Sequence, residues 1–383
     1  MIALTSPATR PARWLLALLL AAAPLSQAGA AVDPYGYKLP PSMLKKKAVK
    51  PKAAPAIDYT GEFVNFGQWS EVRRFLDQIA ERDGFDRAEL DKVMEQVRYV
   101  DAAIQLIKPA APGKPKNWDA YSKLFIEPVR LGAGGKFWDD NRATLERAEA
   151  LYGVPAEIIV GILGVETIYG RNTGRFRVLD ALTTLAFAYP VAPAREARMA
   201  FFRDELEAVL LYARQNGIDP LSLHGSYAGA IGMPQFMPSS IMKYAVDFDG
   251  DGKIDLLNSP ADAIGSVAAF LAGHGWKRDD PQPLVYAATV SPSRAWEPYI
   301  GQGLEARFSA ADLAAAGVST SAPLPPDMLF GLVDLQNGAE PTEYWLGTNN
   351  FYAITQYNRS YFYAMSVVEL GRAVRMTHNG GQP

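Results

Sequence analysis

The segment GVPAEIIVGILGVETIYGR (residues 153–171) restricts the fold more than any other part of the chain. Pro155 suits the first turn of a helix, and the residues after it carry helical periodicity. Ile159, Ile162, Leu163 and Glu166 fall at i, i+3, i+4 and i+7, so they share one face. A carboxyl group therefore sits on the apolar stripe of a helix. Burial disfavours its charged form and raises its pKa, which lets a carboxylic acid donate a proton near neutral pH. The alternative is a Glu at a helix end that escapes to solvent. Spacing alone leaves both readings open.

The chain has 383 residues, enough for one large domain or two ordinary ones, and its apolar fraction of 49% suits a sizeable core. Residues 1–30 read as a secretory signal peptide. Arg10 and Arg13 form a positive n-region, residues 14–23 an apolar h-region, and Ala28, Gly29 and Ala30 a small-residue cleavage site. The h-region is too short to span a bilayer, and no other stretch is long enough. There is no cysteine, so the fold needs no disulfide and the lipid-attachment cysteine of a bacterial lipoprotein is lacking. The expectation is a periplasmic protein without a lipid anchor, with retention of the leader as a signal-anchor as the alternative.

The formal net charge is −3, yet residues 31–60 hold six Lys against two Asp, so the rest of the chain is more acidic than the total suggests. An acidic body does not fit a nucleic-acid binder, which needs a basic face. The stretch KLPPSMLKKKAVKPKAAPA reads as a disordered basic tether over 31–60, either a solvated linker or a contact with anionic membrane or cell wall.

Order is expected from about residue 61 to 375, with 376–383 a tail. Asp86 followed by Glu89 is a capping-box-like start to a helix running toward Tyr99. Helical patterns cover about 70–80, 118–129, 136–151, 155–169, 180–187, 195–215, 259–272 and 360–374. Strand-like runs at 283–290, 304–308 and 328–333 are short and separated by Gly- and Pro-rich turns. The fold class is mainly α (α+β), with a small β section around 283–355.

Three further segments carry chemistry. GSYAGAIGMPQFMPSS (residues 225–240) has three glycines and two prolines, which disfavour a regular helix or strand and let a ligand approach the backbone. Tyr227 and Phe236 offer aromatic faces for sugar rings, and Ser226 and Gln235 offer donors and acceptors. A purely structural glycine loop is the other reading. QYNRSYFYAMS (residues 356–366) bunches Tyr357, Asn358, Tyr361 and Tyr363 at an expected helix start. Asn358 suits the N-cap and the tyrosines suit the core, unless they face a ligand. In VDFDGDGKIDLLNSPADA (residues 246–263), Asp247, Asp249, Asp251 and Asp255 fall at positions 1, 3, 5 and 9 of an EF-hand-like loop. Gly252 falls at position 6, and the Lys253 carbonyl at 7. Position 12 is Asn258, not Glu. Asp262 could supply that carboxylate, but Ser259 to Asp262 also reads as the N-cap and first turn of the next helix. A calcium site and a plain Asp/Gly turn are both open.

Taken in order, the GVETIYGR segment, the GSYAGAIGMPQFMPSS loop, DFDGDGKIDL with AIGSVAAFLAGHGW, and QYNRSYFYAMSV resemble the membrane-bound lytic murein transglycosylase B family and its soluble relatives over about residues 65–375. The resemblance implies a lysozyme-like catalytic core with an added helical section and an EF-hand-like calcium loop. It implies cleavage of the β-1,4 bond between N-acetylmuramic acid and N-acetylglucosamine in peptidoglycan with formation of 1,6-anhydromuramoyl ends. Glu166 would be the single catalytic acid and then base. Ser226, Gln235, Phe236, Tyr357, Asn358 and Tyr363 would contact saccharide. Asp247, Asp249, Asp251, Lys253 and Asp262 would hold a structural Ca2+. Arg195 and Arg198, in YPVAPAREARMAFF, are loose equivalents of an Arg pair that meets the stem peptide. Glycan strands are the implied substrate and cell-wall synthases the implied partners. A lysozyme-like hydrolase and a non-catalytic peptidoglycan-binding scaffold are the competing readings.

Overall fold

The computed structural model describes residues 58–108 and 115–378, so the signal peptide and nearly all of the tether fall outside the described residues. The N-terminal section holds α1 (Ser70–Asp83), α2 (Arg87–Met94) and α3 (Asp101–Ile107), with β1 (Glu62–Phe63) antiparallel to β2 (Arg98–Tyr99). Asp86 caps α2 by accepting from the N–H groups of Ala88 and Glu89. This helix stops at Met94 and does not reach Tyr99. The N–H groups of Arg98 and Val100 instead bond to Asp180 Oδ1 (2.9 Å) and Thr184 Oγ1 (3.1 Å).

The helices expected over 118–129 and 136–151 are divided differently, as α4 (Trp118–Ser122), α5 (Pro128–Asp140) and α6 (Arg142–Tyr152). Pro128 lacks an N–H and starts a helix, and the Glu127 carboxylate caps that start by accepting from Val129 and Arg130. Asn141 breaks the second pattern with a non-helical φ of −120°. There follow α7 (Ala156–Thr167), β3 (Phe176–Arg177), α8 (Val178–Ala188) and α9 (Arg195–Gln215). Next come β4 (His224–Gly225), antiparallel to β3, then α10 (Pro238–Tyr244) and α11 (Pro260–Gly273).

A five-stranded antiparallel sheet occupies the expected β section. Its strands are β5 (Val285–Val290), β6 (Phe308–Ser309), β7 (Val318–Thr320), β8 (Leu329–Asn337) and β9 (Glu340–Gly347), in the order β6-β8-β9-β5-β7. Its own small core gathers Tyr286, Trp296, Phe330, Leu332 and Leu346. Short α12 (Ala310–Ala315) leans on this sheet; α13 (Asn349–Ile354) and α14 (Tyr361–His378) complete the order. The last helix runs into the expected tail, where His378 stacks on Trp138 with ring centroids 5.3 Å apart.

At the centre lies α7. Of its twelve residues ten are fully buried, and Glu157 and Glu166 are half-buried. It packs on α14 at near backbone contact, and glycine makes that possible. A Cβ on Gly161 would lie 2.3 Å from the Val367 carbonyl oxygen, and one on Gly371 would lie 2.1 Å from that of Glu157. Gly161→Ala or Gly371→Ala must push the two helices apart, and overpacking of this kind costs about 1–3 kcal/mol. Denaturant unfolding should show that loss. Turnover should fall with it, because the two helices carry Glu166 and Tyr363.

Candidate active site

Glu166 lies in the last turn of α7. Directly after this helix Ile168 (φ 53°), Tyr169 (φ 56°) and Gly170 (φ 84°) all adopt the left-handed region, which a β-branched residue such as Ile168 rarely enters. Several bonds hold this strained turn. Thr167 Oγ1 accepts from Gly170 N (2.9 Å) and donates to the Met233 carbonyl (2.8 Å). Arg130 Nε donates to the Gly164 carbonyl (3.1 Å). The Tyr169 ring slots between Gly134 and Gly164, where a Cβ on either glycine would meet its hydroxyl at 2.5 Å.

The carboxyl of Glu166 accepts a 2.6 Å hydrogen bond from Tyr363 Oη. Burial raises its pKa from 4.5 to about 7, and the Tyr363 hydrogen bond opposes that rise. The groups that sense its charge are Tyr121, Tyr357 and Tyr363, and burial together with that charge raises all three phenol pKa values. Tyr357 and Tyr363 stack with centroids 6.3 Å apart, and Tyr357 Oη donates to the Pro234 carbonyl (2.8 Å). A carboxyl that is half protonated near neutral pH, with phenols as its neighbours, is equipped to give a proton and take one back. Tyr121 was not singled out in the sequence. It stands far from the motif residues, and an aromatic on a short helix reads as core.

The loop over residues 225–236 folds as two stacked turns fastened to this centre. Ser226 N bonds to the Ala230 carbonyl (2.8 Å), and Ile231 and Phe236 exchange backbone hydrogen bonds (2.8 and 3.1 Å). Ser226 Oγ accepts from Ala230 N (3.0 Å), which orients its own O–H to donate elsewhere. Gln235 takes a positive φ of 52°, and its Nε2 donates to the carbonyls of Thr173 (3.1 Å) and Gly232 (3.0 Å). Phe236 departs from the sequence reading. It is 2% exposed and packs on Phe270 and Tyr357, so it braces the tyrosine wall from behind and offers no free face to a sugar. Asn358 departs in another way. It is exposed and does not cap α14, since that place belongs to Ser360, whose carbonyl accepts from Ala364 (3.1 Å) and whose Oγ accepts from Tyr363 N (3.4 Å).

The transglycosylase SLT domain family matches residues 67–372. The chain is 43% identical to membrane-bound lytic murein transglycosylase B of Escherichia coli (strain K12) over 324 residues, 82% of this chain and 85% of that protein. The structure of Escherichia coli lytic transglycosylase Slt35 in complex with calcium matches with a TM-score of 0.73 and 40% identity, covering 86% of this chain and 100% of that one. SltB3 from Pseudomonas aeruginosa, in complex with NAG-anhNAM-pentapeptide, matches with a TM-score of 0.65 and 28% identity, covering 81% of this chain and 79% of that one. The chain belongs to the SLT family of peptidoglycan lytic transglycosylases. Its mainly helical architecture is the lysozyme-like fold of those relatives.

In this transglycosylase the acidic loop brings together three of the six expected metal-site residues. Single carboxylate oxygens of Asp247, Asp249 and Asp251 lie within 4.8 Å of one another. Asp247 also accepts from the N–H groups of Gly250 (2.7 Å) and Gly252 (2.8 Å), which shapes the turn. The other two carboxylates are turned to different tasks. Asp255 accepts from Leu257 N (3.0 Å) and Asn258 N (2.8 Å), closing its own turn. Asp262 is 1% exposed and accepts from Phe248 N through one oxygen and from Asp255 N through the other, both at 2.8 Å. It is a buried clasp across the loop as well as the third residue of a helix capped by Ser259. Lys253 enters the turn through its backbone, its N–H bonding to Asp251 Oδ1 (2.9 Å). Arg198 lies exposed in the first turn of α9, apart from the bonds that tie the Glu166 centre together.

Two outcomes follow for Glu166. Tyr363→Phe removes the hydrogen bond that favours the charged form, so the alkaline limb of the pH–rate profile should move to higher pH, with lower turnover. A carboxyl whose folded pKa is raised binds its proton more tightly in the folded state. The fold therefore loses stability as pH climbs from about 4.5 to about 7, and the loss is complete above that. Glu166→Gln removes this cost, so at pH 8 it should unfold at higher denaturant, by about 3 kcal/mol, and the difference should vanish near pH 4.

Proposed function

We propose that Glu166 alone performs the acid and base steps of this lytic transglycosylase. The observation that carries the reading is one carboxyl with a pKa of about 7, bonded to Tyr363 and with no other carboxylate among the causes of its shift. Most glycosidases divide the work between two carboxylates. Here the substrate supplies the missing partner. Protonated Glu166 gives its proton to the oxygen of the β-1,4 bond between N-acetylmuramic acid and N-acetylglucosamine, and the bond from that oxygen to the muramoyl C1 breaks. The acetamido oxygen of the muramoyl residue bonds to C1 and forms an oxazolinium-like species. Glu166, now anionic, takes the proton from the muramoyl 6-hydroxyl, and that oxygen attacks C1, breaking the bond from C1 to the acetamido oxygen, to close the 1,6-anhydro ring and restore the acetamido group. No water is consumed, and the acid regains its proton.

Ser226 suits the acetamido group, because its oxygen is engaged by Ala230 N and its hydrogen is available to a carbonyl. Tyr357 stands beside Tyr363 with its hydroxyl fixed on Pro234, and exposed Asn358, next to it in the chain, offers its amide. The anhydro sugar in the SltB3 complex belongs to the product class expected here. Glycan strands of the cell wall are then the substrate, and the leader read over residues 1–30 supports action in the periplasm.

Digestion of purified sacculi followed by mass spectrometry tests the reading. Muropeptides lighter by one water than hydrolytic ends are expected. Reducing muramic ends would assign a hydrolase instead. Glu166→Gln should bind glycan and fold normally yet release no product.

Calcium fits the acidic loop for a physical reason. Three hard carboxylate oxygens converge where backbone N–H groups and the Ser259 hydroxyl only partly offset their repulsion, and a divalent cation with oxygen preference relieves it. Asp247, Asp249 and Asp251 would hold the ion, with the Lys253 carbonyl, and it would supply rigidity, not chemistry. Calcium at millimolar concentration should raise the melting temperature, and Asp249→Ala should abolish that rise; an unchanged melting temperature would remove the site.

A further inference from the structure

We infer that Arg130 is a positioning residue for this reaction: its guanidinium pins the end of α7 to the loop between α4 and α5 and thereby sets the hydrogen bond between Glu166 and Tyr363. The inference rests on the transglycosylase reading of Glu166 and deepens it by naming what holds the acid in place.

The end of α7 needs a hold from outside. Its last turn closes on itself, with the Gly164 carbonyl accepting from Ile168 N (3.2 Å) and the Leu163 carbonyl from Tyr169 N (3.1 Å). Ile168 and Tyr169 carry left-handed backbone angles, φ 53° and 56°, and neither is glycine. Such a turn persists only where its surroundings over-determine it. Glu166 lies between Gly164 and Ile168, so relaxation of the turn moves the carboxyl that Tyr363 bonds at 2.6 Å.

Arg130 has the geometry for that hold. Its side chain is 16% exposed. Nε donates to the Gly164 carbonyl (3.1 Å) and Nη1 to the Leu124 carbonyl (2.7 Å), so the fork bridges α7 and the α4–α5 loop. Glu127 Oε1, 3.5 Å from Nη1, steadies the guanidinium from its own helix. A cation at a helix C-terminus also suits the macrodipole. Gly134, at i+4 from Arg130, makes room for the Tyr169 ring, so one face of α5 grips the strained turn at two points.

The second prong reaches another neighbour of the acid. Arg130 Cζ lies 5.4 Å from the centre of the Phe125 ring, Phe125 meets Tyr121 with centroids 5.2 Å apart, and Tyr121 senses the charge of Glu166. One side chain thus anchors both the helix that carries the acid and the aromatic run that leads to Tyr121. Arg130 is not among the causes of the raised Glu166 pKa. It acts by placement, not by its field, and placement needs the rigid fork that Lys lacks.

The test follows kcat and KM of the full chain across pH on a soluble tetrasaccharide of alternating N-acetylglucosamine and N-acetylmuramic acid, with anhydro product as the readout. Arg130→Ala should lower kcat about tenfold, with KM changed by less than about twofold. Its alkaline limb should move to higher pH, because a stretched bond from Tyr363 favours the charged carboxylate less. Arg130→Lys keeps the charge and the apolar stem, so it should fold as wild type does and still show the raised limb. Arg130→Ala/Tyr363→Phe should show the limb of Tyr363→Phe alone, since that bond can be lost only once. A limb left at the wild-type pH in both Arg130 variants, shifts that add in the double variant, or full restoration by Lys would each overturn the proposal. A wild-type profile with no alkaline limb near pH 7 would instead overturn the reading of Glu166, and the role of Arg130 would fall with it.

Discussion

Close contact between the backbones of α7 and α14 is the constraint on which the rest of the site depends. Gly161 and Gly371 let each helix touch a carbonyl of the other, where any side chain would intrude by more than an ångström. That approach delivers Glu166, near one end of α7, to Tyr363, in the first turn of α14, at 2.6 Å. Neither helix offers this pair alone. A shift of a few tenths of an ångström at the glycines would be felt directly at a hydrogen bond this short.

The same packing sets the electrostatics. A helix buried on nearly every face has little surface to spare for an ionised group, so the carboxyl at its end bears a desolvation cost unless it is protonated. Tyr363 offsets part of that cost and prevents the pKa from climbing beyond the useful range. A second acid close by would separate the two titrations, one carboxyl staying charged and the other neutral. Phenols do not, because they stay neutral throughout the working range and only donate. One group can then serve in both directions at nearly one pH.

Much of this was legible in the sequence, and the reasons differ from residue to residue. Glu166 stood out because its spacing put a carboxyl on an apolar face. The 21-residue span of α9 was readable from periodicity alone, since no Pro or Gly interrupts it. The division at Pro128 was visible in principle, as a proline at N1 behind a Glu that reaches two N–H groups, but the apolar pattern ran across it. β9 carries Pro341 and two Glu yet lies between β8 and β5, so only tertiary pairing identifies it as a strand. Phe236, expected against a sugar, went to the core, and Asn358, expected as the cap of the last helix or a saccharide contact, lies exposed and leaves the cap to Ser360. Position in a motif does not reveal which way a side chain faces when the backbone turns through left-handed angles. Tyr121 had no local signal, for its role arises from a contact with residues more than 40 positions away.

Two of the motifs that look separate in sequence are mechanically joined. Met233 N donates to the Leu256 carbonyl (2.7 Å), and a Cβ on Gly232 would sit 2.5 Å from that same oxygen. The loop over residues 225–236 therefore rests on the exit of the acidic loop. Met233 also accepts from Thr167, the residue after Glu166, and Pro234 accepts from Tyr357. On the far side Ser239 N and Oγ both bond to buried Glu205 (2.9 and 2.6 Å), fixing the start of α10 where the loop ends. The acidic turn, clasped from within by Asp262, is in this way the floor under the loop that carries Ser226 and Gln235. Loosening of that floor would reach the acid through two short hydrogen bonds, Leu256 to Met233 and Met233 to Thr167. A rigid acidic loop thus bears on the setting of Glu166 through backbone contacts alone.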